Sequence, residues 1–208
     1  MNSVKLEDLY NKFTSEPEYT LDFALQFFGN NALVFKNLKT FENIYELNIY
    51  IKLAWHYLHA IFQKNMFDET SEKSLSFLKI IDNEAKRLKL NVTEDEWYLG
   101  IILFDGMATY RLRKYKISTR IFKRLTELNT QSESFKNWLK YSKYQEQKRI
   151  SRAITVTCLI LWLSEYIFKE HLSFSLKMII LTISIMGIIS TLFYDLYMEK
   201  ILKKAQFK

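Results

Sequence analysis

Hydrophobic residues recur at helical spacing along most of this chain and form two nearly uninterrupted runs toward its carboxyl end. The 208 residues include only 4 glycines and one proline, Pro17, whereas Leu, Ile, Lys and Glu are frequent. Such a composition favours long helices joined by short polar turns, because glycine and proline are the main interrupters of helices. The sequence therefore predicts an all-α protein, in which a helical bundle precedes a hairpin of two apolar helices.

Polar breaks between the apolar runs predict the boundaries of the individual helices. Residues 1–40 should form two or three short helices, separated at Pro17 and at Gly29. Longer helices are predicted from Thr40 to about Lys64, from a cap at residues 68–71 to about Leu90, from a Thr93–Glu96 capping box through residues 97–112, from Tyr115 to Leu128, and from about Ser132 into the first apolar run. Two apolar stretches among them, 44–62 and 97–104, are too polar or too short to span a membrane and should be buried core helices.

The two carboxyl-terminal runs cover residues 153–168 and 178–198, and each holds a single ionisable residue, Glu165 in the first and Asp195 in the second. As a helix the second run is about 31 Å long, enough to cross a hydrocarbon core of about 30 Å. The first, about 24 Å, spans only if Arg152 or Lys169 reaches toward the headgroups. We predict a transmembrane hairpin, with two alternatives: core helices of a soluble protein, or a first helix that lies in the membrane interface.

Basic residues border the hairpin on its outer ends. Residues 111–152 carry 13 basic and 3 acidic side chains, and Lys200, Lys203, Lys204 and Lys208 follow the second run. Because loops rich in Lys and Arg stay in the cytosol, both termini should be cytosolic, with a bacterial inner membrane as the expected location. Three regions result: short helices in 1–40, a helical domain in 41–150, and the hairpin with its basic tail in 151–208.

Small and polar residues recur on one face of each apolar helix. The second helix has Ser184, Gly187 and Thr191 at this spacing, and the first has Thr155, Cys158, Trp162 and Glu165. Faces of this kind let helices approach closely in lipid, either within one hairpin, which we favour, or between subunits of a homo-oligomer. Isolated charges in a membrane are costly, so we also predict two ion pairs, Glu165 with Lys177 and Arg152 with Asp195.

The stretch from Gly106 to Tyr115, continued by Ser118, Phe122 and Leu125, resembles a tetratricopeptide repeat over residues 97–128. Gly106 has the position at which the two helices of such a repeat pack together, and Tyr115 stands at the turn. A more degenerate copy surrounds residues 65–67. The sequence departs from the family at Ile102, where a tryptophan is typical, and in lacking a closing proline. The resemblance implies a partner-binding face that includes Met107, Tyr110 and Arg111.

Recognised catalytic signatures are missing from the sequence, which has no glycine-rich phosphate loop, no H-E-x-x-H and a single cysteine, Cys158. His56 and His59 lie three residues apart and lack further metal ligands, so they are interpreted as core or surface residues. We therefore expect no enzymatic activity, no metal and no cofactor.

A basic cluster interleaved with Tyr110 and Tyr115 is the remaining feature. Its members are Arg111, Arg113, Lys114, Lys116, Arg120, Lys123 and Arg124. It is either a solvated helix face or a surface for anionic lipid headgroups or an acidic protein; nucleic acid is the least favoured partner, because no recognised module accompanies the cluster. Arg113 and Lys114 join the three residues of the repeat face as candidate partner-binding residues.

Two functions are consistent with these features. In the first, a membrane-anchored helical adaptor binds a protein partner on the cytosolic side. In the second, hairpins oligomerise as a pore-forming or membrane-perturbing effector, or as a regulator, of a bacterial antiviral defence system. The second function requires the face of Ser184, Gly187 and Thr191 to lie between subunits.

Overall fold

The computed structural model describes residues 3–16, 20–168 and 173–206 and shows helices and no strands in these ranges. The helices are α1 (Ser3–Thr14), α2 (Leu21–Asn30), α3 (Ala32–Asn37), α4 (Ile44–Gln63), α5 (Phe67–Leu88), α6 (Glu96–Arg111), α7 (Tyr115–Leu128), α8 (Glu133–Ile167) and α9 (Phe174–Gln206). The all-α prediction is confirmed, and the bounds predicted for α7 are those observed. Contacts divide the chain into two compact units, Met1–Lys136 and Asn137–Lys208.

Three of the predicted helix starts differ from the observed ones. Helix α4 is capped by Asn43, whose side chain accepts the backbone N–H of Glu46, and not by Thr40. Helix α6 is capped by Asp95, which accepts the N–H of Tyr98. The predicted capping box at Thr93 is therefore wrong. Helix α5 begins after Met66 with no side-chain cap, so the cap predicted at residues 68–71 is wrong as well.

The first unit is built on two helical hairpins, α4–α5 and α6–α7. Each helix packs on the next one in the chain, and α4 also packs on α6. The core consists of apolar side chains from all four helices, among them the fully buried Leu58, Ile81, Ile101 and Phe122. The stretches 44–62 and 97–104 belong to this core, as predicted. Helices α1 and α2 pack against α4.

The two hairpins share the same turn. Asn65 and Arg113 both adopt the left-handed conformation (φ 60° and 59°), and each follows the cap residue at the end of the first helix of its pair. In each turn the next N–H bonds a carbonyl five residues back, from Met66 to Ile61 (3.0 Å) and from Lys114 to Thr109 (2.9 Å). This is the Schellman pattern, which satisfies carbonyls at a helix end.

An aromatic pair closes each of these turns at corresponding positions. The rings of Phe62 and Phe67 are 5.3 Å apart, and those of Tyr110 and Tyr115 are 5.4 Å apart, both edge to face. Edge-to-face geometry places the positive ring edge against a negative ring face, which is favourable. The same offset along the chain relates Asn65 to Arg113, so the two hairpins are structurally equivalent at their turns.

A pair of charged residues on α5 holds the segment before α4 in place. Glu84 is buried and accepts the backbone N–H of Phe41 at 2.9 Å, while Arg87 donates to the carbonyl of Phe41. The two side chains also pair with each other at 2.7 Å. The hydrogen bond from Arg87 holds the pKa of Glu84 below its usual value, which keeps this carboxylate ionised.

The second unit contains two helices that are long and apolar enough to cross a membrane. The apolar stretches of α8 and α9 reach mean hydropathies of 1.4 and 2.1. Only 11% of the residues in either stretch are buried. Core helices of a soluble domain bury most of their apolar side chains, whereas these helices expose them. Within the described ranges, no other helix has these properties.

Candidate functional site

The five predicted partner-binding residues lie together at the carboxyl end of α6 and in the turn after it. We call this set the turn surface: Met107, Tyr110, Arg111, Arg113 and Lys114. Met107 and Tyr110 are half-buried, and the three basic residues are exposed. Residues at i, i+3 and i+4 share a helix face, which brings Met107, Tyr110 and Arg111 onto one side of α6.

Residues at the start of α5 complete the turn surface. The guanidinium carbon of Arg111 lies 6.0 Å from the centre of the Phe67 ring, within the range of a cation–π contact. The ammonium of Lys114 lies 3.9 Å from a carboxylate oxygen of Asp68, and both side chains are exposed. An exposed pair of this kind adds about 0–1 kcal/mol. The pair therefore leaves Lys114 available to another carboxylate at little cost.

The guanidinium of Arg113 has no hydrogen-bond or ion-pair partner within the described part of the chain, although it is exposed beside two other cations. Lys116 and Arg120 on α7 are likewise exposed and form no ion pair within the described residues. Their spacing of four places them on one face of the helix. The turn surface and this face of α7 therefore form a region with uncompensated positive charge.

Other members of the basic cluster have internal partners. Arg124 donates to the hydroxyl of Tyr98 at 2.9 Å, and that hydroxyl donates to Asp82 at 2.7 Å. Burial, followed by the bond to Asp82, raises the pKa of Tyr98 to about 12, so the hydroxyl stays protonated and can make both bonds. Lys123 lies 3.8 Å from Glu127. These two cations stabilise the fold or the helix surface and are less available to a partner.

A buried carboxyl group lies two residues before the first residue of the turn surface. Asp105 is 4% exposed and accepts a hydrogen bond from Ser71 at 2.8 Å, which joins α6 to α5. Burial raises the pKa of Asp105, an effect that Ser71 and the charge of Lys114 oppose. Lys114 thus has an acidic neighbour at the surface, Asp68, and a second one inside.

The small-residue face of the second unit packs within one chain. Ser184 and Thr191 are buried, and the hydroxyls of Thr191 and Thr155 are 3.0 Å apart. A Cβ added to Gly187 would lie 2.5 Å from the sulfur of Cys158, so the backbone of α9 lies directly against that thiol. Contacts in reversed order along the two helices make α8 and α9 antiparallel, as predicted. Trp162, by contrast, is 49% exposed and does not belong to this face.

Neither predicted ion pair of the hairpin is formed. Cys158 faces Gly187 and Thr155 faces Thr191, so Glu165 lies level with about residue 180. That position is about 5 Å along the helix from Lys177. Arg152 is exposed and lies about 100° around α8 from Ser151, which is buried. A carboxylate oxygen of Asp195 is buried without a hydrogen-bond partner. Lys169, expected to reach toward the headgroups, lies outside the described residues together with Pro17 and Lys208.

The two histidines of α4 belong to an aromatic cluster. The ring of His59 stacks on that of Trp55 at 5.3 Å, and His56 lies 5.0 Å from Phe13 and 5.6 Å from Trp97. Burial lowers the pKa of both histidines, that of His56 to about 4. No group of three or more His, Cys, Asp and Glu side chains in the described ranges is arranged to hold a metal ion.

Sequence reasoning overlooked Phe67 and Asp68 as neighbours of the turn surface. A signal was available, because Phe62 and Phe67 have the same spacing as Tyr110 and Tyr115. Aligning the two turns on these aromatic residues places the start of α5 beside the end of α6, since helices that follow each other through short turns pack antiparallel.

No protein-family model, no curated protein and no solved structure matches this chain.

Proposed function

We propose that the protein is a membrane-anchored adaptor whose first unit binds an acidic segment of a protein partner through the turn surface. In this proposal α8 and α9 span the membrane as a hairpin, both termini are cytosolic, and the first unit is a repeat of tetratricopeptide type. The observation that carries the proposal is Arg113, an exposed cation without an acidic partner in the described chain, set beside Tyr110 and two further cations.

The composition of the turn surface supports a protein partner. Aromatic residues and arginine are enriched at the centres of protein interfaces, because they combine apolar area with directional hydrogen bonds. Tyr110, Phe67 and Arg111 provide both within one small area. Arg113 and Lys114 supply positive charge, which increases association rates with an acidic partner.

The membrane anchor is supported by the exposed apolar surface of α8 and α9. Large side chains such as Ile160, Phe193 and Leu196 are 60%, 71% and 65% exposed. Soluble proteins rarely expose apolar patches larger than a few hundred Å². Lipid tails cover such a surface without further protein contacts.

The backbone of Arg113 allows a test that separates binding from folding. A left-handed conformation costs an L-residue about 1–2 kcal/mol, whereas glycine adopts it freely but loses about 0.5–1 kcal/mol in chain entropy. Arg113→Gly should therefore leave the stability unchanged or raise it by up to about 1.5 kcal/mol. If Arg113 binds the partner, the same substitution should weaken binding.

Lys89 provides a matched control. It has the same left-handed conformation (φ 55°), and Leu90 bonds back to Ala85 in the same Schellman pattern at the end of α5. Lys89→Gly removes an exposed cation with the same backbone effect but lies outside the turn surface. Because both residues are left-handed, backbone strain alone does not mark a functional residue; the surroundings of Arg113 do.

The experiment uses a photo-crosslinking amino acid at Met107 of the full chain in native membranes. A discrete protein adduct that is lost in Arg113→Gly and retained in Lys89→Gly supports the proposal. Adducts with lipid alone would assign the turn surface to headgroups instead. Equal protein adducts in both glycine variants would contradict the proposed role of Arg113.

The alternative, a pore-forming effector, gains no support from the hairpin. Its required face, with Ser184, Gly187 and Thr191, is in contact with α8 of the same chain. A pore would need either a rearranged hairpin or a different polar face. The adaptor requires neither.

A further inference from the structure

A cavity of about 400 Å³ lies in the first unit among α2, α3, α4 and α5. Its walls are largely aromatic, with Phe28, Phe35, Tyr50, Tyr57 and Phe77 among the lining residues. The rings contact one another, for example Phe28 with Tyr57 at 4.9 Å and Tyr57 with Phe77 at 6.2 Å. Its volume falls in the range of about 300–1,000 Å³ that is typical of sites for small molecules.

The hydroxyl of Tyr50 lacks a hydrogen-bond partner, although Tyr50 is only 1% exposed. Buried hydroxyls are almost always hydrogen-bonded, because leaving one unpaired costs free energy. Tyr57, on the same helix and also lining the cavity, does have a partner, Glu69, at 2.7 Å. Tyr50 therefore carries an unused donor at the wall of the aromatic cavity. Its oxygen is closed off from water in this structure, so a ligand that accepts from it must displace a neighbouring side chain.

Two lysines give the cavity a positive lining. Lys73 of α5 is half-buried and Lys36 of α3 is exposed at the edge, with the exposed Ser76 nearby. Neither lysine forms an ion pair within the described residues, and no acidic side chain lines the cavity. An ammonium group that is half removed from water favours an anionic partner.

From these features we infer that the cavity binds a small amphiphilic monoanion, a carboxylate with an aromatic or aliphatic body. The apolar body lies among Phe28, Phe35 and Phe77, the carboxylate accepts charged hydrogen bonds from Lys73 and Lys36, and the Tyr50 hydroxyl donates to the ligand. The site belongs to a different part of the first unit from the turn surface, so it is independent of the proposed adaptor function.

The first measurement is calorimetric titration of the full chain in lipid nanodiscs. Octanoate and 2-naphthoate serve as the alkyl and aryl probes, and empty nanodiscs correct for partitioning into lipid. Octanol and 2-naphthylmethanol are neutral controls of similar size. We expect saturable binding of at least one carboxylate, at least tenfold tighter than its neutral analogue. The tighter carboxylate indicates whether the natural ligand is of alkyl or aryl type.

Variants then locate the site. Lys73→Gln should weaken binding about tenfold, since it removes the half-buried charge, whereas Lys79→Gln removes an exposed lysine of the same helix that does not line the cavity and should change nothing. Tyr50→Phe removes only the unpaired hydroxyl. It should weaken binding while leaving the Tm unchanged or higher, an outcome that a purely structural role would not produce.

The inference is supported if the carboxylates bind and both Lys73→Gln and Tyr50→Phe weaken that binding. It is overturned if neither carboxylate binds at concentrations up to about 1 mM, which corresponds to a weak dissociation constant for a small ligand. Neutral analogues that bind as tightly as the carboxylates overturn it too, as do unchanged affinities in both variants.

Discussion

The absence of a side chain at Gly106 allows α6 to lie against α7. A Cβ at this position would come within 2.8 Å of the Phe122 ring and 3.2 Å of Ile121, and Phe122 is fully buried. Ser118 also donates to the Gly106 carbonyl at 3.1 Å. Gly106→Ala should therefore overpack the hairpin and lower the stability by about 1–2 kcal/mol, even though alanine favours helix. The measurement is the Tm by circular dichroism.

Gly29 is the control for this substitution. It lies in α2, and a Cβ added there would meet no atom within 4 Å. Gly29→Ala should stabilise the protein by about 0.4–1 kcal/mol, because alanine restricts the unfolded chain. Equal Tm values for the two variants would contradict the close contact of α6 with α7 at Gly106.

His56 makes the stability of the first unit dependent on pH. Its pKa is lowered from 6.5 to about 4 by burial and, to a smaller extent, by the charge of His59. The folded protein therefore favours the neutral ring, so the stabilising contribution is fully present above about pH 6.5 and decreases as the pH falls toward 4. We expect the Tm to fall between pH 7 and pH 5. His56→Phe keeps an aromatic ring without the titration and should reduce that fall; an identical fall in the variant would assign the acid sensitivity to other groups.

At the scale of the helix pair, the close contact of α9 with α8 depends on one small residue on each side. Gly187→Leu should separate the helices, because any side chain there meets the sulfur of Cys158. The smaller substitution Gly187→Ala should also lower the stability. Adding Cys158→Ala to it should restore part of that loss, since the sulfur is then removed. The measurement is a double-mutant cycle on the Tm of the detergent-solubilised protein. Strictly additive effects would mean that the two residues do not touch.

Helix existence could be predicted from the sequence, but helix caps could not. Tyr115–Leu128 follows from a strongly amphipathic pattern, which depends on many residues at once. A cap depends on one hydrogen bond. Thr93 matches a capping motif, yet its hydroxyl lies 2.7 Å from Asn91, so Asp95 caps α6 instead. Local competition between polar side chains is not visible in the pattern.

The two predicted ion pairs of the hairpin, neither of which is formed, show a second limit of prediction from sequence. Pairing two charges by their expected distance from the end of the hairpin determines neither the register of the helices nor their rotation. The contact of Cys158 with Gly187 determines the register, and it shifts Glu165 from Lys177 by about one turn. Asp195 remains without Arg152, because Arg152 lies on another side of α8. The packing of small residues outweighs the pairing of these charges here.

For the whole molecule, the proposed membrane topology gives a direct prediction. The full chain should remain in the pellet after carbonate extraction and require detergent for release. In a Cys158→Ala background, a cysteine at Ser173, between α8 and α9, should react with an impermeant thiol reagent from outside intact cells. A cysteine at Ser132, just before α8, should react only after lysis. Reaction at both positions in intact cells, or release without detergent, would contradict the hairpin topology.

Some features at this scale were not accessible from the sequence. Composition and hydropathy were sufficient to predict an all-α chain with two apolar helices. The cavity, in contrast, is formed by residues from four helices, such as Phe28, Tyr50 and Lys73. No spacing along the chain relates these residues. Their proximity arises from tertiary packing, which includes the hydrogen bonds of Glu84 and Arg87 to the backbone of Phe41.

The sole cysteine of the chain lies against Gly187 between the paired helices and is only 6% exposed. An alkylating reagent can reach that sulfur only during moments when α8 and α9 part. The modification rate of the unaltered protein, measured with a lipid-permeant maleimide, therefore reports how often the two helices of the hairpin separate. Faster modification upon addition of a partner or ligand would show that binding at the first unit changes the contact between α8 and α9.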